Sequence, residues 1–329
     1  MPLPKAFESL RIPAVAAPMF LTSGPALVSA CCKAGMVGTL PALNQRTTEG
    51  FADWLREIRD ELERHAQTTG QQAAPFGVNL IVHKTNPRVM ADLEVCAEFK
   101  VPLIITSLGA AHEVVEKVHS YGGLVFHDVT TAKHAKKAAE AGVDGLILVS
   151  AGAGGHAGTW SPFALLSEVR QFFSGTLLLA GCISSGRDIA AAQMMGADLA
   201  YMGTRFIATK EALVSQAYKD MIVAAGAADI VYTPSISSIP ASFLRQSIVD
   251  AGLDPDKLAP PAGVDLSHIT EPYKPELKNS KAWRDIWSAG QGVGAIHDLP
   301  PAGELVARLA EEYRAATAEF ARQSARFTK

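Results

Sequence analysis

A single histidine stands in a stretch of the sequence that otherwise contains only glycine and alanine. Between positions 152 and 157, every residue except His156 is Gly or Ala. A loop with so few side chains to pack favours an imidazole on an open rim over a buried one. Because histidine titrates near neutral pH, His156 could take or give a proton there. We predict that His156 is catalytic; helix capping or a cofactor contact without proton transfer is the alternative.

Two glycine-containing turns later in the chain suggest an anion site. The first contains Gly181 and Cys182, the second contains Gly203 and Thr204, and each directly follows an apolar segment. Glycine lets the backbone approach a ligand closely, and backbone N–H groups bind phosphate. Either turn alone would also fit a simple tight turn. Together, in adjacent units, they predict phosphate binding.

Two further polar residues lie in or after apolar segments. Asn79 falls within the segment 76–82, where a polar amide needs hydrogen-bond partners, so a cofactor contact and a hydrogen bond inside the fold both fit it. His127 follows another such segment, and a cofactor contact and a packed structural histidine fit it equally. No His, Cys, Asp or Glu cluster in the sequence has metal-ligand spacing, so no metal site is predicted.

These residues fall at the ends of regularly alternating elements. Eight short apolar segments alternate with helical segments, and several helices end at a glycine just before the next strand, as at Gly35, Gly142 and Gly196. Near-continuous apolar strands favour a parallel sheet covered on both faces, and eight units favour a (β/α)8 TIM barrel of the α/β class. An open doubly wound sheet is the rival fold. In a barrel, the loops after the strands gather at one end, which would bring the candidate residues together.

The alternation changes after residue 208. We predict a barrel formed by residues 1–208 and 296–329, with residues 209–295 inserted near the C-terminus as a smaller, mostly helical, substrate-binding lid. The segment 254–275 is rich in proline and is predicted to be a loop. Helices in this part of the chain are predicted over 208–226, 241–252, 280–288 and 300–327.

The amino-acid composition limits the kinds of molecule that the protein is expected to bind. The 329 residues carry a formal net charge of -3, so no broad positive field would attract nucleic acid. No apolar run has the length of a membrane span, and the four cysteines lack a CxxC pair, which fits a reducing compartment. We expect a cytoplasmic protein that acts on a small molecule without nucleic-acid or membrane partners. Apolar residues on the last helix could support a homodimer.

Five short segments, in this order, resemble a known enzyme family. They are similar to segments of the nitronate monooxygenases, formerly called 2-nitropropane dioxygenases, a wider family that includes FMN-dependent NADH:quinone reductases and a flavin enoyl-ACP reductase. The similarity covers residues 10–210, and a weaker similarity occurs at 287–292. The segments are Ala17–Met19, Phe76–Asn79, Ala153–Gly158, Gly196–Asp198 and Met202–Phe206.

The resemblance implies a barrel that holds FMN at its mouth. It implies that His156 removes a proton from a nitroalkane or orients a nitronate, which O2 then converts to a carbonyl compound and nitrite. The related reaction class would use NAD(P)H and act on a quinone or an enoyl- or acyl-CoA. The implied cofactor contacts are Pro18, Met19 and Phe20 at the isoalloxazine ring, Asn79 at the ring or ribityl edge, Gly154 and Gly155 beside the flavin, and Ala180, Gly181, Cys182, Gly203 and Thr204 at the phosphate.

Three positions depart from the family pattern. Val15–Ala17 precedes the Pro-Met element without the glutamine of the best-defined members, and Gly152 stands where they carry glutamate. Asp128 stands where the quinone reductase branch has lysine. These departures leave the substrate open between the two reaction classes. A barrel that binds a sugar phosphate or nucleotide without flavin is the third interpretation.

Overall fold

The protein folds around a closed barrel of eight parallel strands. The structure is a computed structural model that describes residues 3–109, 112–259 and 282–327. The predicted TIM barrel is confirmed, and the open doubly wound sheet is wrong. The barrel strands are β1 (Ala14–Ala16), β2 (Val37–Pro41), β3 (Phe76–Ile81), β4 (Leu103–Ser107), β5 (Leu124–Val129), β6 (Gly145–Val149), β8 (Thr176–Ala180) and β9 (Leu199–Met202).

Helices cover the outside of the barrel, and local capping fixes where several of them begin. At the start of α2 (Thr48–Thr69), the Thr47 side chain accepts a hydrogen bond from the Gly50 N–H, and α7 (Gly186–Met194) begins with a capping box formed by Ser185 and Asp188. The last described helix, α11 (Ala302–Ser324), packs against α7 and against α1 (Pro25–Lys33) and so completes the eighth unit. These helices are α1 (Pro25–Lys33), α2 (Thr48–Thr69), α3 (Val89–Glu98), α4 (His112–Ser120), α5 (Ala132–Glu140), α6 (Pro162–Arg170), α7 (Gly186–Met194), the short α8 (Thr204–Ile207) and α11 (Ala302–Ser324).

The core has two apolar layers, one inside the barrel and one between strands and helices. Successive side chains of a strand point to opposite faces, so each strand feeds both layers. On β5, Phe126 belongs to the inner cluster and Val125 to the outer one. Phe7, on a 3-10 helix at Lys5–Phe7, packs into the inner layer with its ring 5.8 Å from that of Phe126.

The segment between α8 and α11 forms a smaller unit beside the barrel. Its β10 and β11 form an antiparallel sheet with β7, a two-residue strand that comes from the loop after β6. No helix that could span a membrane occurs in the described ranges. The elements are β7 (Gly155–His156), α9 (Gln216–Ala224), β10 (Ile230–Thr233), β11 (Ala241–Leu244), α10 (Arg245–Asp250), and 3-10 helices at Ala227–Asp229 and Gln291–Ala295.

Three predicted helices of this unit differ in the structure. The helix expected over 208–226 begins only at Gln216. The helix expected over 241–252 begins at Arg245, because the four preceding residues pair with β10. Residues 282–288 form isolated bridges instead of a helix, while 280 and 281 lie outside the described residues. The predicted loop 254–275 is described only up to residue 259, and the domain limits at 208 and 296 stay predictions.

Candidate active site

One cavity, with a volume of about 320 Å³, opens at the carboxyl ends of the barrel strands. The loops after β1, β6, β8 and β9 line it together with the ends of β3, β4 and β5. Tyr218, Trp283 and Ser288 add the smaller unit to its boundary. The predicted site residues that line it are Pro18, Met19, Phe20, Asn79, Gly154, Gly155, His156, Ala180, Gly181, Cys182, Gly203 and Thr204.

The loop 18–20 after β1 is fixed by a side chain that sequence reasoning missed. Asn44 donates through Nδ2 to the carbonyls of Met19 (3.0 Å) and Ser23 (2.8 Å), and its Oδ1 accepts from the Leu21 N–H (2.8 Å). Leu21 has a φ of 57°, which is uncommon for a residue with a side chain. The amide therefore holds a turn that presents apolar groups to the cavity.

The two glycine turns lie side by side because β8 and β9 are neighbours in the barrel. Gly181 has a φ of 126°, and a Cβ there would lie 2.6 Å from Ser150 Oγ, so the protein itself requires glycine. Cys182 follows with a φ of 57°. Gly203 differs, since a Cβ there would meet only Ala17 and Met19 at ordinary contact distances of 3.8 Å or more. The space beside Gly203 is therefore open toward the cavity.

His156 lies on a strand and not on a free loop. In the pairing of β7 with β11, His156 is opposite Ala241, and its ring meets Trp283 edge-on with 5.2 Å between centroids. Tyr232 donates from its hydroxyl to the Ala157 carbonyl (2.8 Å). The predicted open rim is thus a position that the smaller unit holds in place. The sequence of the glycine-rich stretch carries no sign of this pairing, because the partner strand lies far along the chain.

Ser288 connects β7 to the smaller unit. The Gly155 N–H donates to Ser288 Oγ (2.7 Å), and that hydroxyl donates to the Ser242 carbonyl (2.8 Å). The Tyr218 hydroxyl accepts from the Ser288 N–H (3.2 Å), and its ring stacks on Trp287 with 4.9 Å between centroids. These contacts fix the strand that carries His156.

The segment 287–292, which the sequence indicates only as a turn, packs its backbone on the loop after β6. A Cβ at Gly290 would lie 2.6 Å from the Gly152 carbonyl oxygen, and a Cβ at Gly154 would lie 2.8 Å from Gly290 N. The Gly290 N–H donates to Thr204 Oγ1 (2.9 Å). The glycines at these contacts therefore allow the segment 287–292 to pack closely against both the loop after β6 and Thr204, which follows β9.

A chain of hydrogen bonds occupies the ends of β3, β4 and β5. Asn79 Nδ2 donates to the Ile105 carbonyl (3.2 Å) and to Ser107 Oγ (2.8 Å), and Ser107 donates to Asp128 Oδ2 (2.6 Å). Burial raises the pKa of Asp128 to about 6, and the hydrogen bond from Ser107 opposes that rise. Asn79 thus makes an internal hydrogen bond and also lines the cavity.

His127 is the one predicted site residue that does not line the cavity. Its Nδ1 lies 2.7 Å from Thr106 Oγ1, and burial, with a smaller contribution from His134, lowers the pKa of its imidazole to about 4. The alternation along β5 turns Phe126 and Asp128 to the inside and His127 to the outside. The structure therefore supports the packed alternative for His127 and brings Asp128 to the cavity instead.

The fold and the cavity define a class: a (β/α)8 barrel with a cavity at the strand ends, which, among the described residues, is lined by glycine turns and one histidine. Among the described residues, no group of three or more His, Cys, Asp or Glu could hold a metal ion. The sequence model of the nitronate monooxygenase family matches residues 88–312, more than half of the chain. The chain therefore belongs to this family of flavoproteins.

Two relatives of this chain are named for different activities. A nitronate monooxygenase of Paraburkholderia phytofirmans is 26% identical over 351 aligned positions, which cover 92% of each chain. A dehydrogenase of Rhodococcus jostii, named for an octahydro-indene-carboxyl-CoA, is 28% identical over 239 positions, covering 73% of this chain. The chain spans 64% of that dehydrogenase and 61% of a Mycobacterium tuberculosis protein to which it is 32% identical over 232 positions.

A solved structure agrees over nearly the whole chain. The crystal structure of a nitroalkane oxidase from Streptomyces ansochromogenes has a TM-score of 0.77 and is 27% identical. The match covers 95% of this chain and 99% of the oxidase. The smaller unit is therefore part of an architecture that the oxidase shares.

Proposed function

We propose that this protein is an FMN-dependent nitronate monooxygenase. It would oxidise alkyl nitronates, or the nitroalkanes that yield them, with O2 to a carbonyl compound and nitrite. The observation that carries the proposal is the position of His156 on the same cavity as the two glycine turns. The relatives named as nitronate monooxygenases that align over most of the chain support it.

The residues of the cavity fit FMN. The turns at Gly181 and Gly203 offer backbone N–H groups for the phosphate, and Thr204 adds a hydroxyl. No Lys or Arg occurs among the described residues that line the cavity, so the backbone would bind the anion. Across the barrel, Asn79 and Asp128 offer polar contacts for a ring edge, and apolar groups such as Met19 lie between the two ends.

FMN, when bound, would supply the electron transfer between substrate and O2. The protein itself would accept the proton and position the substrate. An imidazole nitrogen of His156 would take the α-proton of a neutral nitroalkane, or orient a nitronate that is already deprotonated. Trp283 limits rotation of the imidazole, and the pairing of β7 with β11 holds its backbone. The smaller unit would exclude water from this side of the cavity.

Replacing Gly203 with alanine is expected to weaken FMN binding about tenfold without lowering the melting temperature of the flavin-free protein. The added methyl group would meet only ordinary contacts in the protein, and the φ of -101° at Gly203 is allowed for alanine. The methyl group would, however, occupy space that the phosphate needs. Fluorescence titration with FMN and thermal melting measure the two effects. Gly303→Ala, in open space on α11, is the matched control. Unchanged FMN affinity would argue against phosphate binding at this turn.

Replacing Ser288 with alanine is expected to lower kcat roughly tenfold, because small displacements of a catalytic group are costly. The change removes the acceptor for the Gly155 N–H and the donor to Ser242, so β7 loses its support. FMN affinity should change much less than kcat. Nitrite release at saturating substrate measures the effect, and Ser324→Ala, at the end of α11, is the control. Full activity in the Ser288 variant would show that the sheet alone positions His156.

A second candidate function is an FMN-dependent NAD(P)H reductase or dehydrogenase for a quinone or an enoyl- or acyl-CoA. The 28% identity to the carboxyl-CoA dehydrogenase favours it. One experiment separates the two functions. The flavin-loaded protein is mixed anaerobically with NADH or NADPH, and its spectrum is followed. Rapid bleaching supports the reductase, whereas stable colour together with nitrite release from a nitronate in air supports the monooxygenase.

A further inference from the structure

Among the described residues that line the cavity, Asp128 is the one with a carboxyl group, and it lies on the side that faces the two glycine turns across the barrel. In the closed barrel, β3 and β4 lie across from β8 and β9, and β5 borders β4. Asp128 Oδ2 accepts the hydrogen bond from Ser107, while Asp128 Oδ1 is buried and has no hydrogen-bond partner within the described residues. A buried carboxylate oxygen without a donor is unfavourable, so a donor on a ligand would stabilise it.

The direction of the neighbouring hydrogen bonds determines what Asp128 can offer. The Ile105 carbonyl can only accept, so Asn79 must present its NH2 group there and to Ser107 Oγ. Ser107 then directs its single proton to Asp128 Oδ2. In the ionised carboxylate, Oδ1 is therefore an acceptor that no neighbour satisfies.

We propose that Asp128 Oδ1 accepts a hydrogen bond from the N3–H imide of the flavin ring. A ring whose phosphate is bound at Gly181 and Gly203 would extend across the barrel mouth toward β3 and β4, next to Asp128. The imide is the N–H donor on the polar edge of that ring, between two carbonyl groups. This inference rests on the FMN binding proposed above and assigns Asp128 as a cofactor-specificity residue.

The titratable groups nearest to Asp128 are neutral or face away from it. Tyr201 on β9 interacts electrostatically with Asp128, and burial raises the pKa of its phenol well above the usual value, so it stays neutral. On β5 itself, His127 has a lowered pKa and faces the opposite side, with His134 beyond it. The pKa of Asp128, about 6, leaves it ionised above that pH. The acceptor is thus present at neutral pH and is lost as the pH falls through about 6.

The test is titration of the flavin-free protein with FMN and with 3-methyl-FMN, which lacks the imide proton. Wild type should bind FMN more tightly than 3-methyl-FMN, by about ten- to a hundredfold, as expected for a hydrogen bond to a charged group. Asp128→Ala should bind the two ligands almost equally. The comparison within wild type needs no variant, so it stands even if a substitution impairs folding.

Asp128→Asn provides the sharpest variant. The amide oxygen of the new side chain would take the Ser107 proton, which turns its NH2 group toward the ligand donor. We expect FMN affinity to fall about ten- to a hundredfold. If Asp128 merely repelled the anionic phosphate, removing its charge would tighten binding instead, and that result would overturn the inference. Asp220→Asn, an exposed carboxylate on α9, should leave the affinity unchanged.

A pH series adds an independent readout. FMN affinity of wild type should fall as the pH drops through about 6, and Asp128→Asn should lack that component. The variant is needed because the phosphate of FMN also titrates near pH 6. Equal pH profiles in the two proteins would contradict the inference. Failure of wild type to bind either flavin would instead contradict the proposed function.

Discussion

Replacing His156 with alanine is expected to lower kcat with a neutral nitroalkane by about 10²–10⁴-fold, the usual contribution of a general base. FMN should remain bound, because the strand pairing of β7 uses only the backbone of this residue. Nitrite release at saturating substrate measures the loss, and the absorption spectrum measures bound flavin. A nitronate, already deprotonated, should lose much less activity than the nitroalkane from which it forms.

The comparison of the two substrates separates the roles of His156. Equal losses would indicate that the imidazole orients the substrate without removing a proton. Loss of flavin together with activity would assign it to cofactor binding. His112→Ala, an exposed histidine on α4, controls for the substitution itself. Unchanged kcat in the His156 variant would contradict the catalytic assignment.

Replacing Asp298 with alanine is expected to lower the free energy of unfolding by about 2 kcal/mol. Asp298 accepts from Arg205 (2.7 Å), whose side chain is only 2% exposed, and it also pairs with Arg308. Removing the carboxylate leaves a buried guanidinium that keeps only a hydrogen bond to the residue 298 backbone carbonyl and an electrostatic interaction with Glu312. Because Asp298 is itself 45% exposed, the cost should fall below the 3–5 kcal/mol of a fully buried pair. Chemical denaturation measures the change.

Two observations would check this assignment. Glu319→Ala removes an exposed partner of Arg187 and should leave the denaturation midpoint unchanged. The hydrogen bond from Arg308, with the charge of Arg205, lowers the pKa of Asp298, so its stabilisation is complete above the unfolded-state pKa and is lost as the pH falls through the lower folded value. Wild type and the Asp298 variant should therefore converge in acid. A constant difference down to low pH would contradict the ion pair as the cause.

The sequence predicted the barrel and most of the cavity because both depend on local patterns. Buried strands are apolar runs, and the turns that follow them must meet at one end once the sheet closes. The pattern of strands therefore already predicts that Gly181 and Gly203 lie close together. The dimer and the cytoplasmic location rest on composition and single elements, and they stay predictions.

What the sequence could not predict depends on contacts between distant residues. The pairing of His156 with Ala241 joins two segments whose individual patterns indicate only a loop and a helix. Ser288 is ordinary in sequence and gains its role from Gly155. β5 is largely buried and covered on both faces, so its sequence does not show which side chains face inward. The pattern therefore indicates His127 as a candidate, although Asp128 is the inward residue. Such a strand has no alternation of polar and apolar residues to fix its phase.

The most direct test is to identify the flavin that purified protein carries or binds. Protein purified without added cofactor is denatured in acid, and the released material is analysed by chromatography and absorbance. We predict FMN in up to an equimolar amount, with full occupancy after added FMN restores any that was lost. A colourless protein that does not bind added FMN would contradict the account.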